Sequence, residues 1–135
     1  MVITGRTVNV LYGPTQARSA RMIALDQIRY RLTDGKVGSC VVSDSDHRIR
    51  FNNPNLGSSI TSEFYFDTAT KTLFYDDDVS SGLSGQAVAE GPIEITFELE
   101  SAGAIVKVTV KTEADLAYAD VDEQDGESAV YLRNP

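Results

Sequence analysis

Tryptophan is absent from this chain of 135 residues, and cysteine and histidine occur once each. A single cysteine excludes an intrachain disulfide, so apolar burial must hold the fold together. Cys40, in Ser39-Cys40-Val41-Val42, reads as a small buried hydrophobe. A single histidine leaves little from which to build a nucleophile–base pair or a His-rich metal centre. No window approaches the roughly 20 apolar residues that cross a bilayer as a helix, and the residues after Met1 do not read as a signal peptide. Phosphate loops, dinucleotide fingerprints, zinc spacings and nucleophile elbows are missing too. No Asn-x-Ser/Thr acceptor for glycosylation occurs. These absences lead to the expectation of a non-enzyme with no catalytic residues and no obligatory cofactor.

Positive charge is also scarce. Twelve Lys/Arg face twenty Asp/Glu, for a net charge of −8. The imbalance is not uniform: residues 1–50 hold eight basic and four acidic side chains (+4), and residues 51–135 hold four and sixteen (−12). An acidic body of this kind argues against nucleic acid as a partner. What is present is ordinary for a folded domain, with 41% hydrophobic and 24% charged residues. The length fits one domain able to bury about two thirds of its unfolded surface. It divides into a lead-in over 1–13, a helix over 14–34 and a β-body over 36–135.

The lead-in is ambiguous. Val8, Val10 and Tyr12 alternate as in a strand, yet the segment could equally begin a longer helix kinked at Pro14. Beyond Pro14 the helical beat is plain: Ala17, Ala20, Ile23 or Ala24, Leu25, Ile28 and Leu32 fall on one face. Arg18, Arg21, Arg29 and Arg31 lie mostly off it, either as a solvated face or as a partner-binding face for an acidic protein or anionic lipid heads. Asp34-Gly35 is expected to stop the helix, with Gly35 at a suitable C′ position, where a left-handed conformation is common.

The period then falls to two. Strands are expected over Val37–Val42, His47–Asn52, Thr61–Asp67, Thr72–Asp76, Pro92–Glu100, Ala104–Lys111 and Ser128–Arg133. Turns are expected at Asp44–Asp46, Asn53–Gly57, Thr68–Lys71 and Ser101–Gly103, with loops over residues 76–89 and 113–127. Ile93, Ile95, Phe97 and Leu99 alternate with Glu94, Thr96, Glu98 and Glu100, the mark of a half-buried antiparallel strand. Lys107 and Lys111 should stand across from those glutamates.

Three clusters could bear chemistry. His47, in Asp44-Ser-Asp-His47, reads as a solvated turn residue rather than a general base. Asp76-Asp77-Asp78 supplies hard oxygen ligands, but neighbouring side chains on an extended chain point to opposite sides, so it reads as a solvated loop. Asp120, Asp122, Asp125 and Glu127 form the better candidate Ca²⁺ site, although Gln124 stands where an EF-hand would place its third acid. A solvated acidic loop is the alternative. Tyr12, Tyr30, Tyr65, Tyr75, Tyr118 and Tyr131 could build a sugar-binding platform or simply sit half-buried on strands.

Four segments carry a family resemblance. Leu25-Asp-Gln-Ile-Arg-Tyr-Arg-Leu32 resembles the end of the long N-terminal helix in type IV pilin-like proteins. Ser43-Asp-Ser-Asp-His-Arg-Ile-Arg-Phe51 is similar to the serine/aspartate turn and Phe-ending strand that follow it there. Glu63-Phe-Tyr-Phe-Asp-Thr-Ala-Thr-Lys-Thr-Leu-Phe-Tyr75 resembles their aromatic hairpin, and Val130-Tyr-Leu-Arg-Asn134 their C-terminal Leu-Arg-Asn. The likeness spans about residues 15–135 and is nearest to minor pilins and the minor pseudopilins of type II secretion.

That resemblance implies an α+β fold, with the N-terminal helix packed on antiparallel sheet in one or two layers. It implies a structural filament subunit of the cell envelope, extracytoplasmic and anchored in the inner membrane before assembly. Its partners would be other pilin-like subunits. The family's leader, cleavage-site Gly-Phe and hydrophobic helix with Glu at its fifth position are not among these residues; the expectation is that they were removed to leave a soluble domain, monomeric or weakly associating. Some members hold Ca²⁺ in a C-terminal loop. The rival readings are a viral or phage structural β-domain and a small carbohydrate-binding module.

Overall fold

Residues 19–91, 93–112 and 126–135 are described in a computed structural model. Helix α1 occupies 19–32. Eight strands follow: β1 (Val41–Ser43), β2 (Arg48–Asn52), β3 (Thr61–Asp67), β4 (Thr72–Asp76), β5 (Gln86–Glu90), β6 (Ile93–Glu100), β7 (Ile105–Thr112) and β8 (Gly126–Tyr131). The first five make an antiparallel meander in chain order, and the last three make a second one. The architecture is α+β, one helix with two antiparallel sheets among the described residues.

Alternation along each strand decides which face is buried. Ile49 and Phe51, Phe64 and Phe66, and Leu73 and Tyr75 turn inward from the five-stranded sheet. Ile93, Ile95 and Phe97, with Val106, Val108, Val110 and Val130, do so from the three-stranded sheet. Both sets join one core with the helix. The two sheets are also stitched by backbone, because the Phe97 N–H donates to the Asp46 carbonyl at 2.9 Å. That carbonyl is presented by an unusual turn in which Asp44, Ser45 and Asp46 all have φ between 55° and 68°.

The helix buries Ala20, Ala24, Ile28 and Leu32, each four residues from the last. Such a row forms a ridge inclined to the helix axis, the kind that fits between neighbouring side chains. Of Ile23 and Ala24, it is Ala24 that faces the core; Ile23 is 49% exposed. The last turn tightens into i to i+3 bonds, with the Asp34 N–H on Arg31 O and the Gly35 N–H on Leu32 O.

Four expectations are corrected. Gly35 is not a left-handed cap, since its φ is not positive. It is glycine for lack of space: a Cβ there would lie 3.0 Å from Leu32 O, 3.1 Å from Phe51 Cδ2 and 3.3 Å from Leu132 Cδ2. The first strand begins at Val41 rather than Val37. Lys36 pairs instead with Asn134 in a parallel bridge, and Gly38, at φ 81°, breaks the extended run. The expected loop over 76–89 contains most of a strand, β5, whose Ala87 and Ala89 give too little hydrophobic contrast to announce it. The last strand starts at Gly126, paired with Val110, and ends at Tyr131 rather than Arg133. Leu132 is already engaged beyond the sheet pairing, its N–H on Ala104 O.

Candidate interaction surface

The helix arginines do not form one solvent-facing stripe. Arg18 lies outside the described residues. Arg21 is buried, at 9% exposure. Arg31 is half-buried, hydrogen-bonded to Gln27, with its guanidinium 4.5 Å from the Tyr75 ring centre and 5.7 Å from that of Tyr30. Such cation–aromatic stacking commits Arg31 to its own domain. Arg29 is exposed and donates to Ser128 Oγ at 2.8 Å. The outer side of the helix instead presents Met22, Ile23 and Tyr30, all exposed.

Of the candidate Ca²⁺ ligands, Asp120, Asp122 and Asp125 lie outside the described residues. Glu127 is the second residue of β8, in register with Thr109. Among the described residues no group of three His, Cys, Asp or Glu side chains is placed to hold a metal ion. Asp76 and Asp78 serve local turns: Asp76 Oδ1 accepts the Asp78 N–H, and Asp78 Oδ1 accepts both the N–H and the hydroxyl of Ser80. The Ser80 bonds lower the Asp78 pKa. With Tyr75, Leu83 and Gln86, the three aspartates line an open pocket of about 250 Å³.

His47 lies in the turn, as expected, but is not fully solvated. It is half-buried, with Nδ1 3.2 Å from Asp44 O and its ring tilted against Phe66. Nε2 is buried without a hydrogen-bond partner among the described residues. The tyrosines do not share a face. Tyr75 points into the core, Tyr65 points outward from the first sheet, and Tyr30 and Tyr131 are exposed on α1 and β8. Tyr12 and Tyr118 lie outside the described residues.

An arrangement not foreseen from sequence stands on the outer face of the first sheet. Arg48 and Arg50 of β2 both turn to Glu63 of β3. The Arg50 Nε–H donates to Glu63 Oε1 at 2.8 Å. Arg48 Nε lies 3.1 Å from the same oxygen, a charge contact without hydrogen-bond alignment. The Arg48 guanidinium also lies 4.5 Å from the Tyr65 ring centre. Glu63 is only 15% exposed, whereas Arg48 and Arg50 are 32% and 49% exposed. The carboxylate therefore sits beneath two guanidinium groups that reach the surface. The one legible signal was Arg48-Ile-Arg50, charge at a period of two; its meeting with Glu63 depends on hairpin register.

On the second sheet the expected charge ladder is present. Glu94 stands across from Lys111 and Glu98 from Lys107, while Glu100 stands across from Ile105. All three glutamates are exposed.

Cys40 is buried, and burial pushes its thiol pKa up to about 11. Burial likewise raises the Tyr75 phenol, with Ser62 and Arg31 opposing and Asp77 assisting. Both groups resist ionisation when folded and ionise more readily when unfolded. Their contribution to stability should therefore be level from pH 7 to about 9 and fall as pH rises from about 9 to about 11. Urea midpoints between pH 7 and 11 test this; a midpoint flat to pH 11 would refute it. Thiol reagents at pH 8 should modify Cys40 only as fast as the core opens.

Among the described residues no helix is long and apolar enough to cross a membrane. No family model, curated protein or solved structure matches this chain.

Proposed function

We propose that this chain is the globular part of a structural subunit in a type IV pilus-like or pseudopilus filament, acting through protein–protein contacts and without chemistry on a substrate. The observation that carries the reading is the junction between α1 and the chain's final described residues. Arg133 N–H donates to Thr33 O, Asn134 N–H to Gly35 O, and the Asn134 side-chain amide to Asp34 O. The Leu132-Arg-Asn134 segment, which carries part of the resemblance, thus fastens the helix end to the body. A helix so held, with a buried ridge on one side and Met22, Ile23 and Tyr30 exposed on the other, suits an element that is shared between a domain and its neighbours. On this reading the packing of α1 across the sheets is pilin-like, the partners are other subunits of the same envelope assembly, and the full-length protein is anchored in the inner membrane before assembly.

The test is a pull-down with the proteins encoded beside its gene, at low and high salt. Binding to one or more is expected, and it should weaken as the Debye length falls to about 8 Å at physiological ionic strength. A tight, salt-insensitive homo-oligomer with no affinity for those proteins would overturn the reading in favour of a viral structural domain.

A further inference from the structure

We infer that the Arg48–Arg50 face of the first sheet is a docking surface for the exposed glutamate row of β6 on a second copy of this chain. The inference rests on the filament reading and names two of the surfaces that would meet.

The receiving face is built before any partner arrives. Glu63 accepts a hydrogen bond from Arg50 and lies in charge contact with Arg48, whose guanidinium also rests against the Tyr65 ring. An arginine held through its Nε edge can still offer its terminal nitrogens as a planar fork to another carboxylate. Holding the forks in place in the free protein removes part of the ordering cost of binding. On the rest of this face, Val41 lies in register with Arg50 and is exposed, and Phe74 lies in register with Tyr65 and is half-buried. Asp76, beyond Glu63 in the same row, is engaged with the Asp78 N–H. The positive charge of this face therefore lies along β2.

The occupant follows from charge and spacing. Residues 51–135 carry a net −12, and Glu94, Glu98 and Glu100 stand exposed on one face of β6. Glu98 and Glu100 are two residues apart, as are Arg48 and Arg50, so both pairs repeat at about 6.8 Å along their strands. Across β7, Glu98 meets Lys107, but Glu100 meets the apolar Ile105, itself in register with Tyr131. Glu100 thus has an apolar residue directly across the sheet, with Lys107 on the diagonal, and has apolar neighbours able to cover Val41 and Phe74. Because the two faces differ, each copy has one of each to offer. A head-to-tail contact of that type extends a filament unless its rotation happens to close a ring.

Sedimentation at high protein concentration, in low and in high salt, reads the contact directly. The wild-type chain should self-associate weakly and reversibly at low salt and dissociate at high salt. Arg48→Glu/Arg50→Glu and Glu98→Lys/Glu100→Lys should each lower the association constant by about tenfold or more, and an equimolar mixture of the two should recover it. Since reversal beside Glu63 could unfold the first variant, Arg48→Lys/Arg50→Lys serves as a second. It keeps the charge, loses the forks, and should lower the constant several-fold with an unchanged melting temperature. A wild-type chain that stays monomeric at both salts overturns the inference, as does a mixture of folded variants that does not recover. If such a chain still captures neighbouring gene products, this contact fails and the filament reading stands; self-association as described without that capture fails the reading instead.

Discussion

Leu32→Ala is expected to cost about 2–5 kcal/mol of stability, the range for truncating a buried leucine whose surroundings cannot collapse into the space. Leu32 is fully buried at the end of the helix ridge, directly before the turn that brings the chain to Gly35. The turn backbone is fixed there by Arg133 and Asn134, which limits how far the site can close. Met22→Ala is the control, because that side chain is exposed and its loss should stay within about 0.5 kcal/mol. Chemical unfolding of both variants decides the matter: a Leu32→Ala loss below about 1 kcal/mol would mean that this ridge is not the face that packs.

Gly91→Ala should be comparably damaging for a different reason. Gly91 has φ of 143°, a region that side chains rarely adopt, and occupying it should cost about 1–3 kcal/mol. The new Cβ would also stand 2.9 Å from the Cβ of Ala20, pressing the helix away from the β5–β6 connection for about 1–3 kcal/mol more. Neither methyl group has a torsion that could relieve the contact. The two causes separate in a cycle with Ala20→Gly. The double variant should regain the contact part and keep the backbone part, giving a coupling well outside the roughly 0.5 kcal/mol of independent sites. Strict additivity would show that the two residues do not touch.

These two sites also mark where sequence reading succeeded and where it stopped. The helix ridge and the β3–β4 hairpin were legible because burial alternates with the chain's own geometry. Thr61–Asp67 and Thr72–Asp76 emerge with the expected bounds, since every inward position is large and apolar or, like Ser62, bonded to backbone. Strand β5 was not legible. Gln86-Ala-Val-Ala-Glu90 lies at a sheet edge with both faces partly open, so no periodic contrast is imposed on it. Gly91 and Gly35 show the same limit. Glycine in a sequence signals backbone freedom, but Gly35 is needed only for the room it leaves beside Phe51 and Leu132, which no local pattern records.

The interaction surface divides in the same way. The glutamate ladder and its lysines could be paired in advance because a short turn, Ser101–Gly103, fixes which residues of β6 and β7 face one another. Of the arginines on the helix, Arg29 is exposed, but Arg21 and Arg31 are drawn in. Their spacing places them away from the apolar residues, but aromatic rings can draw long side chains back to the body, as with Arg31 on Tyr75. The Arg48–Glu63–Arg50 group needs the register of β2 on β3 across the Asn53–Ile60 connection, and that length is not set by any turn motif.

The bond from Asn134 to Asp34 spans 100 residues. During synthesis the helix leaves the ribosome before the sheets, while the residues that secure its end come about 5–20 s later at ordinary elongation rates. Through that interval Ile28 and Leu32 have no completed core to enter, and closing so long a loop carries its entropy cost before the contact can repay it. The protein must therefore spend its early life with a sticky helix exposed, and a binding factor waiting at the tunnel exit or the membrane would meet that helix before the sheets do. Nascent chains halted before Leu132 should remain open to protease within α1, and chains extended past Asn134 should not; equal protection of both would mean that the helix is secured without its final ties.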